Sequence, residues 1–504
     1  MSQTTATIGK NISFIVISRA ITIGVTFFLF PFVVKHVGKE VYGVFLIVST
    51  VTGYFGLLDL GVMTALKKYV SEFKGGNNLK MMGEVISASF SFYVLAGIFV
   101  ALVSFFCYGY FAGLFKIAQT NISIIRQLFL IAGISALFIW PLSTFRGAIQ
   151  GLSLWYADSV ISVGVQLLYA FATIFLLKSG SGIVQVFMVS QVLTVFGSIA
   201  SYLILKNSIE FKILFPYNKV KIFKFIFNFS IFMFAASVLS MFMFQVHNII
   251  IGYFLSMSAV TLYAVAYNIQ NVFRVINSSL GSAPWLVASE MEGNEDYWGQ
   301  KKLLLKGTKH MSAVFIPIVL IVFIFARPFI NYWMGPGFQE SILPARIIII
   351  FWLFNGTIEL ASGMLTAKGI VRRPLLIQLI TAALSIVISI LFIRRLGIVA
   401  IALGLTVSMI CVGFPFYLYL SLKVLKVTLK EYFNKTIKMN LLLYLFVAIF
   451  ALVARLYFYP MNLIFTLFEM GLIYAVILLL YYLIFLDNSE KLDIKRLLGY
   501  KKIA

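Results

Sequence analysis

Two arginines lie well inside stretches of the chain that are otherwise strongly apolar. Arg19 lies in SFIVISRAITIGVTFFLF, and Arg274 lies in LYAVAYNIQNVFRVINSSLG. A guanidinium group within a membrane is costly unless it faces protein or a water-filled cavity. Arginine also suits phosphate, because its planar fork donates two parallel hydrogen bonds. Two such cations therefore predict a membrane protein that handles an anionic cargo.

The segment around Arg274 carries further polar residues at helical spacing. Steps of three and four place six residues along one side of a helix: Tyr263, Tyr267, Asn271, Arg274, Ser278 and Gly281. Lipid cannot satisfy such groups, so this stripe is expected to face inward. Small and polar residues also serve as helix–helix contacts, which is the alternative for Ser278 and Gly281. We take Tyr267, Asn271 and Arg274 as substrate-binding candidates.

Two further pairs of opposite charges invite both a structural and a functional interpretation. Asp59 lies at a depth similar to that of Arg19, so the two either form an ion pair or leave Arg19 available for substrate. Arg146 and Asp158 flank the loop between the fourth and fifth apolar stretches. They are expected at a helix interface, and Arg146 is also a candidate for admitting an anionic headgroup.

Asp59 and two other titratable residues are candidates for ion coupling or gating. Glu359 is a carboxylate at depth in the second half, where a coupling-ion site, a partner for Arg274 and a gate are all open. His247 closes the seventh apolar stretch, where a pH sensor competes with a hydrogen-bonded interfacial histidine. The acidic cluster from Glu290 to Asp296 is expected to be a solvated loop.

Composition places all these residues in a membrane protein. The chain has 504 residues, of which 61% are hydrophobic and only 11% are charged. Long apolar runs predict an all-α polytopic protein with fourteen transmembrane helices. The predicted spans begin near Asn11, Tyr42, Val85, Ile122, Trp155, Ile183, Phe225, Ala259, Met311, Ile342, Pro374, Leu396, Met439 and Asn462.

The distribution of basic residues predicts the orientation. The net charge is +23, and 28 of the 40 lysines and arginines lie in one set of alternate connecting segments, against nine in the other set. Positively charged loops remain in the cytoplasm, so both termini are expected there and the protein is expected in the cytoplasmic (inner) membrane. A basic chain of this composition does not call for a nucleic-acid partner.

Short matching segments indicate an internal duplication. Gly147-Ala-Ile-Gln-Gly-Leu-Ser-Leu compares with Gly363-Met-Leu-Thr-Ala-Lys-Gly-Ile, and Val41-Tyr-Gly-Val compares with Leu262-Tyr-Ala-Val. We therefore predict two six-helix lobes in parallel repeat, with two extra C-terminal helices. The predicted boundaries are 1–205 for the first lobe, 206–224 for a cytoplasmic linker, 225–422 for the second lobe and 423–504 for the last two helices with a cytoplasmic tail.

Several segments resemble the polysaccharide flippases of the superfamily that also contains the MATE drug exporters and the lipid II flippases (the MOP superfamily). They are Val41-Tyr-Gly-Val, Leu57-Leu-Asp-Leu-Gly-Val-Met-Thr-Ala-Leu, Lys67-Lys68-Tyr-Val-Ser-Glu, and Ile249-Ile-Ile-Gly-Tyr-Phe followed by Tyr263-Ala-Val-Ala. The resemblance implies a V-shaped cavity between two six-helix lobes. It also implies headgroup-binding arginines in the first and eighth helices, which correspond to Arg19 and Arg274.

The resemblance implies a flippase, not an enzyme. Its cargo would be a polyprenyl-pyrophosphate-linked oligosaccharide of O-antigen or capsule type, moved from the inner to the outer leaflet by alternating access. Membrane lipids, a polysaccharide polymerase and glycosyltransferases are further expected partners. The alternative is a MATE-type cation-coupled drug antiporter. No cofactor is expected, and a coupling ion, proton or sodium, is left open.

The sequence lacks the motifs that a membrane transferase would need. His36, His247 and His310 are scattered and form no HxxxD or HExxH pattern, and no nucleophile elbow occurs. No loop on the predicted outer side is long enough to build a structured pocket of acid and base groups. These features favour a transporter.

Overall fold

The computed structural model describes residues 3–115, 117–209, 245–457 and 462–486, with positions 222–224, 226, 234, 238, 241, 242, 488, 490 and 491. These residues form helices joined by short turns, and no strand occurs among them. Twelve of the helices are long and apolar enough to cross a membrane. The all-α membrane fold is therefore confirmed, whereas the count of fourteen spans stays a prediction.

The chain divides into two compact units, unit 1 (Met1–Thr261) and unit 2 (Leu262–Ala504). The helices that begin in unit 1 are α1 (Gln3–Val37), α2 (Lys39–Tyr54), α3 (Val62–Gly75), α4 (Leu79–Leu114), α5 (Gln119–Gly151), α6 (Trp155–Lys178), α7 (Ile183–Ser208), α8 (Val246–Phe254) and α9 (Met257–Gly293). A 3-10 turn, Phe55–Asp59, joins α2 to α3.

Unit 2 contains most of α9 and the rest of the chain. Its further helices are α10 (Tyr297–Met334), α11 (Ile342–Ala367), α12 (Arg372–Leu396), α13 (Val399–Ser408), α14 (Phe414–Val424), α15 (Leu429–Lys435), α16 (Ile437–Tyr457) and α17 (Leu463–Leu480). A 3-10 turn, Pro336–Ser341, precedes α11, and π-helical turns follow α13 and α17.

Most of the predicted spans coincide with these helices, although α1, α4 and α10 begin before the predicted starts of their spans. The ninth span was predicted from Met311, but α10 begins at Tyr297, because a polar and basic first turn continues the helix outside the apolar stretch. The eighth predicted span corresponds to α9, a helix of 37 residues that is not among the twelve helices apolar enough to cross a membrane. The seventh span, predicted from Phe225, lies largely outside the described residues.

The division between the units falls within α9, after Thr261. The prediction placed the lobe boundary at the linker 206–224, most of which lies outside the described residues. The helix α8 therefore belongs to unit 1, because it packs against α2. The parallel six-helix repeat stays a prediction.

Unit 1 is organised around α5, which packs along α4, α7 and α3. Two glycines permit the contact with α3. A Cβ on Gly147 would meet the Leu66 side chain at 2.9 Å, and one on Gly151 would meet the backbone oxygen of Lys67 at 2.9 Å. The glycine spacing in Gly147-Ala-Ile-Gln-Gly thus has a packing cause, since residues four apart share one helix face.

Unit 2 is organised around α10, which packs against α11, α16 and α17. Phe325, Ile330 and Ala313 on this helix are fully buried. The last two helices are therefore integral to unit 2, since they cover a face of α10 that lipid or water would otherwise contact.

A close approach in unit 1 generates a stability prediction. Gly43 on α2 lies against the first residue of α9, where an added Cβ would collide with the backbone carbonyl of Met257. The Thr261 hydroxyl donates to the backbone oxygen of Lys39 at 2.6 Å and holds the same contact together. We expect Gly43→Ala to destabilise the protein by about 1–3 kcal/mol, the usual effect of overpacking.

The measurement is thermal unfolding of the purified protein in detergent. Gly164→Ala is the matched control, because nothing lies within 4 Å of a Cβ at that position on α6. Equal melting temperatures for the two variants would contradict the close contact.

Candidate functional site

Arg19 lies on α1, and its side chain is exposed. The neighbouring Ser18 is 9% exposed, so the helix turns one face to protein and presents the guanidinium on another. In the described part of unit 1, no ion pair joins Arg19 to a carboxylate. A cation exposed on an apolar membrane helix is available to an anion that reaches it.

Asp59 does not pair with Arg19 in this structure, because it has other partners. It ends the 3-10 turn before α3, and its Oδ1 accepts a hydrogen bond from the backbone N–H of Met63 at 3.1 Å. The same oxygen accepts from the hydroxyl of Tyr93, which is 2% exposed. Leu60 and Gly61 then take left-handed backbone conformations, with φ of 48° and 79°. The carboxylate therefore stabilises this turn, and a coupling role stays a prediction.

Arg146 is tied into a polar cluster at the junction of α5 and α6. Its Nε donates to Oδ1 of Asp158 at 2.5 Å, and its Nη2 donates to the Ser162 hydroxyl at 2.6 Å. Gln150 donates to the other carboxylate oxygen at 2.8 Å. The Arg146 side chain is 46% exposed and that of Asp158 is 10% exposed. The predicted pair of Arg146 and Asp158 therefore forms, and Arg146 is the more exposed of the two side chains.

Lys67 on α3 adds a second cation to this cluster. Burial lowers its pKa and Arg146 lowers it further, while Asp158 and Asp59 oppose both effects. Its ammonium lies 5.8 Å from the ring centroid of Trp155. The sequence offered no sign of this convergence, because Lys67 and Trp155 are far apart in the chain. Lys67 and Arg146 therefore lie together near the buried Asp158 carboxylate at this end of unit 1.

Arg274 lies on α9 in unit 2 and is exposed. Its Nη2 donates to Oδ1 of Asn271, one turn earlier, at 2.7 Å. Tyr267 and Asn271 are half-buried, whereas Tyr263 is 1% exposed. The predicted stripe thus begins in the core and reaches the surface of unit 2 at Arg274. The bond to Asn271 helps to orient the guanidinium of Arg274.

Glu359 on α11 contacts a different part of α9. Its Oε2 accepts from the Asn277 amide at 2.9 Å, and Asn277 is 1% exposed. Gly281 allows this approach, since a Cβ there would meet Cγ of Glu359 at 2.9 Å. Gly281 is therefore a contact residue, as its alternative interpretation held. The coupling, partner and gating roles of Glu359 stay predictions.

His247 lies in α8 and is 1% exposed. Its neighbour Asn248 donates to the Thr50 hydroxyl at 3.0 Å, which fastens α8 to α2 within unit 1. A buried imidazole on a packed helix contact matches the interfacial alternative better than an exposed pH sensor. The gating role stays a prediction.

A buried ion pair in unit 2 was missed by the sequence analysis. The Lys309 ammonium donates to both oxygens of Glu490 at 3.0 Å, with the two side chains 7% and 5% exposed. His310 Nε2 lies 3.4 Å from the same carboxylate. The partners are far apart in sequence, and each alone resembled an ordinary loop charge. The pair anchors the segment after α17 to α10.

The acidic residues at the junction of α9 and α10 are exposed or partly exposed, as expected of a solvated segment, and two of them also bond to protein groups. Asp296 caps α10 by accepting from the Gly299 N–H at 2.8 Å. Glu292 accepts from the Gln300 amide at 2.7 Å and from the Lys368 ammonium at 2.5 Å. Asp296 thus satisfies a backbone donor at the start of α10, whereas Glu292 accepts from two side chains.

Comparisons with known proteins give the chain its context. A family model described as polysaccharide biosynthesis protein matches residues 37–343. A Shigella flexneri protein whose name describes it as an O-antigen transporter is 21% identical over 390 residues. The match covers 75% of this chain and 89% of that protein.

Two solved structures share the fold. The lipid II flippase MurJ, in an inward closed conformation, superimposes with a TM-score of 0.70 at 16% identity over 93% of this chain and 98% of that one. An inward-facing multidrug resistance MATE family transporter of the MOP superfamily gives a TM-score of 0.65 at 14% identity over 80% of this chain and 95% of that one. At these identities the likeness concerns the fold.

The partners of Asp59 predict the outcome of two double-mutant cycles. Arg19→Ala and Asp59→Ala should act additively, within about 0.5 kcal/mol, because the two side chains share no bond. Tyr93→Phe and Asp59→Ala should be non-additive by about 1 kcal/mol or more, because they remove the same hydrogen bond. The free energies of unfolding of the single and double variants decide this, and a strong coupling of Arg19 to Asp59 would contradict the structure.

The environment of Glu292 predicts a pH dependence. Its pKa is lowered by the hydrogen bond from Gln300 and by Lys368. The contribution of Glu292 to stability is therefore present above the pKa of the unfolded chain and is lost as pH falls through the folded-state pKa. The melting temperatures of wild type and Glu292→Gln should converge between about pH 6 and about pH 3. Glu290→Gln is the control from the same segment, and a gap that widened with falling pH would contradict the assignment.

Proposed function

We propose that this chain, a member of the polysaccharide biosynthesis protein family with the fold of MOP superfamily transporters, flips a polyprenyl-pyrophosphate-linked oligosaccharide across the cytoplasmic membrane. The repeat unit of a surface polysaccharide would move from the inner to the outer leaflet by alternating access. The observation that carries the proposal is Arg274, exposed on a membrane helix and oriented by Asn271. The name of the Shigella flexneri relative and the family match support the same class of cargo.

A flippase function would explain why arginines lie within the apolar membrane helices. Each sugar hydroxyl stripped of water without a partner costs several kcal/mol, so an oligosaccharide does not cross a bilayer unaided. A hydrated path removes that cost for the headgroup, while the polyprenyl chain stays in lipid. The diphosphate is the part of such a cargo that arginine recognises best, because each fork donates two parallel bonds to phosphate oxygens.

The two units supply different cationic elements to this proposal. Unit 1 offers Arg19 and the half-exposed guanidinium of Arg146, and unit 2 offers Arg274. We assign Arg19 and Arg274 to the diphosphate, with Tyr267 and Asn271 as polar neighbours of Arg274. Arg146 is bound to Asp158, so an arriving phosphate would have to compete for it. It is better suited to the first encounter with the headgroup.

Both termini are proposed to be cytoplasmic, on the basis of the lysine-rich segments. Their excess over the opposite set of loops follows the positive-inside rule. This orientation puts Arg146 on the side where a lipid-linked repeat unit is assembled. A polymerase and glycosyltransferases are the partners that such an orientation would serve.

A drug antiporter of the MATE type is the alternative that the fold allows. Attraction of a cationic drug needs carboxylates without cationic neighbours. Of the acids considered, Asp59 is bonded within its turn and Asp158 is paired with Arg146, while Glu359 accepts from Asn277. Increased drug resistance of cells that express the protein, with normal surface polysaccharide in a deletion strain, would favour this alternative.

The proposal predicts that Arg274→Ala strongly reduces export without loss of protein. Loss of a bidentate phosphate contact should slow flipping by about tenfold or more. Export by the Arg274→Lys variant should lie between that of the wild type and that of Arg274→Ala, since lysine keeps the positive charge and lacks the planar fork of donors. The measurement is surface polysaccharide by immunoblot in a deletion strain complemented with each variant, with membrane protein levels followed in parallel.

Arg395→Ala is the matched control, because this arginine is exposed in the last turn of α12 and is not one of the proposed cargo residues. It should export normally. Lipid-linked repeat units should accumulate in the inner leaflet of Arg274→Ala cells. Normal export by Arg274→Ala would remove this residue from the site and leave the proposal without its main support.

A further inference from the structure

We propose that an arginine-lined pocket in unit 2 binds the phosphate group of a membrane lipid, at the membrane face opposite the lysine-rich segments. The pocket has a volume of about 450 Å³. Arg327 from the end of α10 and Arg455 from the end of α16 line it, together with the polar side chains of Asn331 and Gln339. This binding site is separate from the cargo residues proposed above and does not depend on the identity of the transported molecule.

The pocket gathers positive charge without acidic compensation. A third guanidinium, that of Arg346 on α11, lies close enough to Arg327 and Arg455 for mutual repulsion. Among the described residues that line the pocket there is no carboxylate. Glu340, which follows Gln339 in the chain, is exposed and is not one of the lining residues. Three cations held together in this way are stabilised when an anion binds between them.

The guanidinium groups are positioned by protein contacts that leave donors unused. Arg455 donates one bond through Nη1 to the backbone oxygen of Ile324 at 3.0 Å. Arg346 lies over the ring of Phe323, 5.7 Å from its centroid, and its buried Nε has no hydrogen-bond partner among the described residues. Each guanidinium carries five N–H donors. The remaining donors can satisfy several oxygens of one ligand.

The number of donors favours phosphate over carboxylate. A carboxylate has two oxygens and a single charge, which one arginine fork already satisfies. A phosphodiester or a diphosphate presents more oxygens, and a diphosphate presents more charge as well. Two arginines that line one pocket, with a third nearby, therefore match a phosphate-bearing ligand.

The surroundings of the pocket indicate a ligand that resides in the bilayer. Leu456 and Tyr457, which follow Arg455 on α16, are 79% and 82% exposed. Large apolar side chains exposed at the end of a membrane helix face lipid, and tyrosine is typical of the interface. Lipid therefore borders Arg455, and a headgroup whose tails stay in the membrane can reach the pocket from the side.

The depth of the pocket places it at the second membrane surface. Arg327 follows Lys306 by 21 residues along α10, which corresponds to about 32 Å of helix, close to the thickness of the hydrocarbon core. Arg327 and Arg455 are two of only nine basic residues in the set of segments that is poor in positive charge. Basic residues are disfavoured there by the positive-inside bias, so their convergence calls for a binding role.

The test measures binding of defined probes to the purified full-length protein in a neutral detergent. The probes are short-chain phosphatidylglycerol, short-chain phosphatidylcholine, farnesyl diphosphate and inorganic pyrophosphate, each followed by native mass spectrometry. The variant is Arg327→Gln with Arg455→Gln. The matched control is Arg394→Gln with Arg395→Gln, which removes the same charge from the end of α12.

We expect phosphatidylglycerol or farnesyl diphosphate to bind and phosphatidylcholine to bind far more weakly. The double variant should lose about tenfold or more in affinity for the bound probe, and the control should retain it. The tighter of the two probes identifies the source of the phosphate as a phospholipid or a polyprenyl diphosphate. If the double variant misfolds, the binding of the same probes to Arg455→Lys tests the pocket, because lysine keeps the positive charge and lacks the planar fork of donors.

Two outcomes would overturn the proposal. Equal affinity for inorganic pyrophosphate and for both lipid probes would remove the lipid from the assignment. Unchanged binding of the lipid probes by the arginine variants would remove the pocket. Neither outcome bears on polysaccharide export, so the proposed function is tested separately.

Discussion

The absence of water in the core of a membrane is the constraint on which this structure depends. Every backbone N–H and C=O at that depth must find a partner within the protein, and a helix satisfies them locally. A chain that is 61% hydrophobic therefore folds into long helices, and twelve of those in the described part of the chain can span a bilayer. The same constraint makes each polar side chain within a span expensive, so its position has a reason that the structure should reveal.

Charged side chains in this structure fall into three groups according to their surroundings. Some charges are neutralised, as in the Lys309–Glu490 pair. Others replace a missing backbone partner, as Asp59 does when it accepts from the N–H of Met63. A third group remains exposed on a helix surface, and Arg19 and Arg274 belong to it. Exposed arginines of this kind are accessible to an anionic ligand, and the proposed function rests on them.

Close helix packing follows from the same solvent. Lipid is as apolar as leucine, so association between helices depends on close contact and on hydrogen bonds more than on the hydrophobic effect. Gly43, Gly147 and Gly281 each allow a neighbour to approach within a distance that a Cβ would prevent. At Gly281 the neighbour is Glu359, so a packing residue also fixes where a carboxylate lies.

Local patterns in the sequence determined the fold class, most helix positions and the family. Apolar runs, alternating basic segments and short motifs act within a few dozen residues, and their physical effect does not require knowledge of distant contacts. The prediction that Arg19 and Arg274 face protein or a water-filled cavity belongs here as well, because an arginine within an apolar run is costly in lipid.

Only the tertiary structure decided the partners of those charges. Asp59 could have paired with Arg19, but it is bonded to Tyr93. Lys309 forms a buried pair with Glu490, and two arginines from α10 and α16 line one pocket with Arg346 of α11 nearby. Such pairings depend on which helix faces meet, and the energy of a helix contact is spread over many weak apolar interactions that no short segment encodes.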